Sequence, residues 1–91
     1  MNLSKYTTLK IRLFGILREK MDSDNLIIFI HDTSISLKEL RKYLEALYPS
    51  LGLNEINFVF AVNKVIRNED NKDINVKSSD EIAIIPPISG G

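Results

Sequence analysis

A single amphipathic helix, set among segments that alternate like β-strands, is the feature that most restricts how this chain can fold. Ser36 and Glu39 match a capping box, in which the serine and glutamate side chains satisfy free backbone N–H groups at a helix start. Leucines then recur at helical spacing, and we expect Leu40, Leu44 and Leu47 to form the stripe that faces a sheet. One helix cannot bury such a stripe alone, so it must pack across a sheet.

The segments around this helix have the composition of β-strands. Apolar and polar residues alternate from about residue 8 to residue 15, which is typical of a half-buried strand. Residues 26–30 are more uniformly apolar, and we expect this strand to be covered on much of both faces. Further strands are predicted at 57–62, 65–66 and 81–86.

The resulting order is strand, strand, helix, strand, short strand, strand. A short helical turn is predicted at 16–21, and Pro49 and Gly52 are expected to end the main helix. This order, with the last strand returning beside the first, describes the ubiquitin-like β-grasp; the strand pairing comes from analogy with that architecture. We therefore predict an α+β domain at 1–86, with a mixed sheet of four to five strands on one main helix, and a flexible C-terminal tail at 87–91.

Size and charge exclude several classes of function. The chain has 91 residues, of which 44% are hydrophobic, so we expect one small globular domain. Twelve basic and twelve acidic residues balance, so no global field recruits nucleic acid or an anionic membrane. No stretch reaches the roughly 18 apolar residues of a membrane span, and the start lacks a signal-peptide core. We expect a cytoplasmic protein.

The body of the chain shows no pattern of residues typical of catalysis or metal binding. His31 is the only histidine and there is no cysteine, so zinc ligation or activation of a nucleophile would lack partners. The acidic residues fall in predicted loops without fixed geometry. Gly15 and Gly52 are isolated, so no glycine-rich phosphate cradle exists. We expect no metal and no bound cofactor.

The C-terminal segment carries the strongest functional signal. Pro86 and Pro87 follow an apolar run and bias the chain toward extended geometry, so the strand should stop there. Gly90 and Gly91 follow, and glycine without a Cβ can pass through a narrow channel. With Gly91 as the terminus, the stretch from Pro87 would reach about 16 to 18 Å at ~3.3 to 3.6 Å per residue. That length could deliver a carboxylate into another protein's active site; a frayed terminus without function is the alternative.

Three apolar residues are expected to face outward near the tail. Phe14 shares a strand face with polar residues, Ile85 points opposite to Ile82 and Ile84, which we assign to the core, and Ile66 follows a predicted turn. Clustered exposed apolar side chains usually mark a partner surface. The alternative is that a loop covers one or more of them.

With these features together, the chain resembles the small-subunit (MoaD) family of molybdopterin synthase, which are ubiquitin-like sulfur carriers. The resemblance covers nearly the whole chain and is strongest at 13–19, 60–64 and 79–91. The last block matches the family pattern of Asp-Glu, an apolar run, Pro-Pro, two residues and Gly-Gly. The chain departs from the family at Ile84 and Ile85, where aromatic residues are frequent, and in several extra N-terminal residues.

The resemblance implies a chemistry that is centred on the terminus. Gly91 would be adenylated by a ubiquitin-activating-type (MoeB-like) adenylyltransferase, which uses ATP, and then converted to a thiocarboxylate. The tail would enter the large (MoaE-like) subunit, in a heterotetramer, and give sulfur to cyclic pyranopterin monophosphate during molybdenum cofactor biosynthesis. Gly90 would permit passage, and Arg18 falls at a family contact with the activating enzyme. The other implied partner-binding residues are Phe14, Ile66, Ile85, Pro86, Pro87, Ile88 and Ser89.

Other functions share this scaffold. A ubiquitin-like protein modifier would be joined to lysines through Gly91. A thiazole-pathway sulfur carrier is usually shorter and lacks Pro-Pro before the tail, so Pro86 and Pro87 favour the molybdenum branch. A purely structural interaction domain, with an accidental diglycine, also remains open. In each case the chain has no catalytic site of its own, although as a sulfur-donating subunit it would take part in a sulfurtransferase.

Overall fold

The computed structural model describes residues 6–87. Within that range, seven strands and two α-helices follow one another, and two short 3-10 turns, Pro49–Leu51 and Leu53–Glu55, connect the second helix to the fourth strand. The elements are β1 Thr7–Leu13, α1 Gly15–Met21, β2 Asn25–Ile30, β3 Ser34–Ser36, α2 Leu37–Leu47, β4 Val59–Val62, β5 Val65–Arg67, β6 Asn75–Lys77 and β7 Ile82–Ile85.

Five strands form one mixed sheet in the order β2-β1-β7-β4-β5. β1 and β7 run parallel, with Ile11 opposite Ile82, and the other pairs in this sheet are antiparallel. The last strand therefore returns beside the first, which is the ubiquitin-like β-grasp that the sequence predicts. The core lies on one face of the sheet, and its largest fully buried side chains include Leu9, Ile11, Leu13, Ile28, Leu40, Leu44, Phe60 and Ile82.

The main helix begins as its sequence predicts and buries a different stripe. The hydroxyl oxygen of Ser36 accepts a hydrogen bond of 3.2 Å from the Glu39 backbone N–H, which confirms the cap. Leu40 and Leu44 are buried as expected, and Leu37 is buried with them. The prediction for Leu47 is wrong, because its side chain is 54% exposed.

The two 3-10 turns explain this difference. Helix α2 ends at Leu47, and the turns that follow pack against it and bring Leu51 and Leu53 into the core. These two leucines belong to the same core cluster as Leu40 and Leu44. Pro49 and Gly52 do follow the helix end as predicted, with Gly52 in the left-handed conformation between the two turns.

The prediction that β2 is covered on both faces is also wrong. Leu26, Ile28 and Ile30 are buried, whereas Ile27 is exposed and Phe29 is 62% exposed. The reason is that β2 is an edge strand and only one face of the sheet is packed into the core. Uniform apolar composition therefore does not indicate uniform burial in this strand.

A second, two-stranded sheet lies in segments for which the sequence predicts no strand. β3 pairs with β6 in antiparallel register, and Ile35 lies opposite Val76, both of them buried. Each of these strands has only three residues, which is too short for a period-two pattern to be recognised. The small sheet ties the segment before α2 to the segment before β7.

Candidate functional site

Four apolar side chains form a surface on the face of the sheet opposite the core, and we call them the docking patch: Phe14, Val59, Ile66 and Ile85. Ile66 is the most open of the four at 64% exposure, while Phe14 and Val59 are about 40% exposed. Ile85 is half-buried. The outward orientation that the sequence predicts for Phe14 and Ile66 is therefore present, and Ile85 contributes a smaller accessible surface.

The register of the sheet explains why these residues meet. Val59 on β4 lies directly opposite Ile85 on β7, and Ala61 lies between Ala83 and Ile66 in the next row of the same face. Residues directly opposite each other across a strand pair project to the same face. Three strands thus place their outward residues next to one another.

Phe14 joins the patch from the end of β1. It directly follows Leu13, which pairs with Ile84, and its backbone is extended at φ -133 and ψ 158. Continuing the register by one residue places Phe14 beside Ile85. The guanidinium carbon of Arg12 lies 5.4 Å from the centre of the Phe14 ring, and Arg12 forms an ion pair of 3.7 Å with Glu81. The apolar patch therefore has a charged margin.

The predicted tail begins at the edge of this patch. Pro86 directly follows Ile85, and it packs against Gly15 at the start of α1, where a Cβ would stand 3.2 Å from Pro86 Cγ. Gly15 has φ +56, a conformation that favours glycine. Pro87 is exposed. Pro86 therefore lies between the docking patch and the start of the first helix.

The other residues that the sequence predicts to contact a partner do not belong to the docking patch. Arg18, near the end of α1, lies 3.7 Å from the Asp24 carboxylate, and both side chains are exposed. An exposed ion pair of this kind contributes little to stability, so Arg18 remains accessible to a partner. Ile88, Ser89, Gly90 and Gly91 lie outside the described residues, and the roles assigned to them remain predictions.

Val59 is the patch residue that sequence reasoning missed. The composition of 57–62 predicts a strand, but that prediction does not assign residues to its two faces. Phe60 and Val62 are large and buried, so their neighbours Val59 and Ala61 share the opposite face. Separating the segment by alternate residues would have added Val59 to the predicted surface.

The hairpin that carries Ile66 is held by a polar network. Asn63 and Lys64 both have positive φ, which is the signature of a two-residue hairpin turn. The Asn63 amide donates to Asp80 at 3.0 Å, and the Glu81 backbone N–H donates to the Asn63 side-chain oxygen at 2.9 Å. These bonds tie the β4–β5 turn to the start of β7, and so fix the position of Ile66 relative to Ile85.

The described part of the chain places only apolar side chains in the docking patch. No polar or charged residue in it is buried, and no group of three metal-ligating side chains is positioned there to hold an ion. None of the helices between residues 6 and 87 combines the length and apolar character that crossing a bilayer requires. What the geometry does provide is an apolar surface next to the start of a tail.

Comparison with known sequences supports a specific family. The sequence matches the ThiS family over residues 11–91. It is 40% identical over 83 residues to the molybdopterin synthase sulfur carrier subunit of Dictyostelium discoideum, a similarity that spans 90% of this chain and 94% of that protein.

Known structures give the same fold. The crystal structure of SAMP1 from Haloferax volcanii superposes with a TM-score of 0.73 at 20% identity, over 92% of this chain and 99% of that chain, which shows likeness of fold. Subunit 1 of molybdopterin-converting factor from Helicobacter pylori, solved in complex with subunit 2, is similar with a TM-score of 0.55 at 30% identity, over 92% and 99% of the two chains. With the family match covering most of its length, the chain belongs to the ThiS family.

Proposed function

We propose that this chain is the sulfur carrier subunit of a molybdopterin synthase. The observation that carries the proposal is the position of the docking patch directly beside the start of the tail, at Ile85 and Pro86. A partner that binds the patch would hold the tail close to its own active site. The 40% identity to a molybdopterin synthase sulfur carrier subunit supports this assignment.

The chemistry resides at the Gly91 carboxylate. A C-terminal carboxylate has a pKa of about 3.5, so it is an anion at neutral pH and a poor electrophile. Attack of a carboxylate oxygen on the α-phosphorus of ATP expels pyrophosphate and gives an acyl-adenylate. Attack of a sulfide-level sulfur atom on the carbonyl carbon then expels AMP and leaves a thiocarboxylate, whose sulfur is a nucleophile.

Catalytic groups for these steps would belong to two partners. A ubiquitin-activating-type adenylyltransferase binds ATP and activates Gly91, and the large synthase subunit receives the loaded tail and transfers sulfur to cyclic pyranopterin monophosphate. The Helicobacter pylori relative at 30% identity forms a complex with subunit 2 of its converting factor, which supports a large-subunit partner. We propose that two small and two large subunits form a heterotetramer.

Each predicted contact has a place in this scheme. Phe14, Ile66 and Ile85 would dock on both partners, and Arg18 would contact the activating enzyme. Pro86 and Pro87 would start the tail in an extended conformation. The residues that follow, Ile88, Ser89 and Gly90, would lie inside the channel of the large subunit.

The first test is the intact mass of the protein purified from cells that contain its native partners. A species heavier by one oxygen-to-sulfur exchange, localised to the Gly90–Gly91 peptide, is expected. The matched control is the chain lacking Gly91, which should never acquire the sulfur. Gly91 found in isopeptide bonds to lysines would support the modifier function instead. An unmodified mass, with no adenylation by the native activating enzyme and ATP, would overturn the proposal.

A second test addresses the docking patch. Replacement of the most exposed patch residue, Ile66→Asp, places a charge on the apolar surface and should abolish measurable binding to the large subunit encoded by the same organism. The far-UV circular dichroism of the variant should stay unchanged, because Ile66 contributes little to the core. Wild-type affinity in the folded variant would remove the patch from the proposal.

A further inference from the structure

A groove beside the β5 edge opens next to the docking patch. It has a volume of about 430 Å³ and is lined by residues of α2, β4, β5, the residue before β4 and the loop after β5, among them Arg41, Phe58, Val59, Phe60, Ile66, Arg67 and Glu69. Val59 and Ile66 belong to both surfaces, so the groove and the docking patch are continuous. A partner on the patch would therefore meet the groove as well.

The floor of the groove is aromatic. Phe58 and Phe60 meet edge to face, with ring centres 5.3 Å apart. Phe60 is buried, while Phe58 is only partly covered and presents apolar surface. The Arg41 guanidinium carbon lies 5.1 Å from the centre of the Phe58 ring and closes one side. An apolar side chain of a partner would find matching surface here.

The cation over this floor is already neutralised within the chain. Arg41 donates to a Glu69 carboxylate oxygen at 2.7 Å and to Glu45 at 3.2 Å. The hydrogen bond to Glu69 is the largest influence on Arg41, and with Glu45 it outweighs partial desolvation and raises the pKa of Arg41. Arg41 is thus paired with two carboxylates and offers no unpaired positive charge to a ligand.

Arg67 is the cation of the groove that has no such partner. It lines the groove, and it lies opposite Phe60 in the β4–β5 register, so its side chain is on the same face of the sheet as Phe60. It is exposed, and within residues 6–87 no carboxylate oxygen lies within 4.0 Å of its guanidinium. Arginine binds carboxylates in a bidentate geometry. A ligand that presents a carboxylate next to an apolar group would therefore complement the groove.

We propose that this groove is a second part of the docking surface, which receives from the large synthase subunit a segment bearing an apolar side chain next to a carboxylate. The apolar side chain packs on Phe58, and the carboxylate pairs with Arg67. The inference rests on the proposed function, since it assumes that the large subunit docks at Ile66. Charges at the margin of an interface mainly set orientation and association rate, and this is the role we assign to Arg67.

The test compares two charge reversals of the full-length chain in binding to the large subunit. Arg67→Glu changes the groove, and Lys42→Glu makes the same change in net charge on an exposed position of α2 that does not line it. We expect Arg67→Glu to raise Kd at least tenfold, mainly through slower association, and Lys42→Glu to change it less than twofold. Arg67→Gln should lower the dependence of the association rate on salt, because a screened ion pair is lost.

The outcomes separate this inference from the proposed function. Wild-type affinity and salt dependence in Arg67→Glu, with binding abolished in Ile66→Asp, would overturn the groove and leave the sulfur carrier proposal standing. Equal losses in Arg67→Glu and Lys42→Glu would also overturn it, because the effect would then follow net charge. If the wild-type chain does not bind the large subunit, both the groove proposal and the sulfur carrier proposal are wrong. Thermal unfolding of each variant confirms that binding is compared among folded proteins.

Discussion

Gly15 approaches Pro86 so closely that a Cβ on Gly15 would stand 3.2 Å from the Pro86 ring carbon Cγ. Gly15 is the first residue of α1, and Pro86 is the first residue after β7. The contact therefore joins the start of a helix to the start of the tail. Glycine is favoured at position 15 for two independent reasons, its φ of +56 and the nearness of the proline ring.

Gly15→Ala should destabilise the protein more than Gly52→Ala does. Gly52 also has a positive φ, but a Cβ there would meet only the ends of two long side chains, Lys20 Nζ at 3.4 Å and Glu55 Oε2 at 4.0 Å. Each substitution costs about 1–2 kcal/mol for the left-handed conformation, and Gly15→Ala adds the displacement of Pro86. The free energy of unfolding in urea measures the difference. Equal losses of unfolding free energy in the two variants would mean that the Pro86 ring moves aside at no cost in free energy.

Phe14→Asp and Ile85→Asp should each weaken binding to the large subunit by at least about tenfold, since truncating or charging a central interface residue costs more than about 1.4 kcal/mol. Tyr43→Asp is the control, because Tyr43 lies on α2 and is 39% exposed against 38% for Phe14. Isothermal titration calorimetry gives the affinities. Ile85→Asp should also lower the unfolding free energy, as Ile85 is half-buried. If Tyr43→Asp weakens binding as much as Phe14→Asp, the docking patch is wrong.

Leu44→Ala should lower the unfolding free energy by about 2 to 5 kcal/mol, because Leu44 is completely buried and its loss leaves a cavity. Leu47→Ala, three residues later on the same helix, should stay within about 0.5 kcal/mol, since Leu47 is largely exposed. Urea denaturation of both variants provides the comparison. Similar losses at the two positions would contradict the burial of α2 that the structure shows.

The parts of the fold that follow from sequence are those with a long or chemically specific pattern. The Ser36 side chain fixes the start of α2 by accepting from the Glu39 backbone N–H, and seven alternating residues define β1. Leu47 escapes prediction because its exposure depends on Leu51 and Leu53, which reach the core through 3-10 turns. The residue pattern within the helix does not predict which residues from elsewhere in the chain pack beneath it.

The candidate site likewise has some features that the local sequence predicts and others that it does not. Phe14 and Ile85 follow from strand alternation and Ile66 from the turn before it, both of which are local properties. The groove does not, because Arg41 and Glu69 are separated by 28 positions and meet only when α2 and the loop after β5 are folded together. The contact of Gly15 with Pro86 likewise depends on the parallel pairing of β1 with β7.

The pH dependence of stability should report on the network that holds the β4–β5 hairpin. Burial of Asp80, whose side chain is 10% exposed, tends to raise its pKa. Hydrogen bonds from the Asn63 amide and the Lys77 backbone N–H, with the charge of Lys77, outweigh that effect and lower the pKa of Asp80 below its ordinary value of 3.8. The ionised carboxylate is therefore the form that the folded state favours.

Because the pKa of Asp80 is lower in the folded than in the unfolded state, its contribution to stability is complete above about pH 4 and is lost as pH falls through the folded value. Asp80→Asn should destabilise the protein at pH 7, and the difference from wild type should shrink as pH drops below 3.8. Asp73→Asn is the control, since within the described residues the Asp73 carboxylate has no ion partner within 4.0 Å. Urea denaturation midpoints between pH 2.5 and pH 7, which span the range of carboxylate titration, measure this. A difference that persists unchanged at the lowest pH would show that the charge of Asp80 does not stabilise the hairpin.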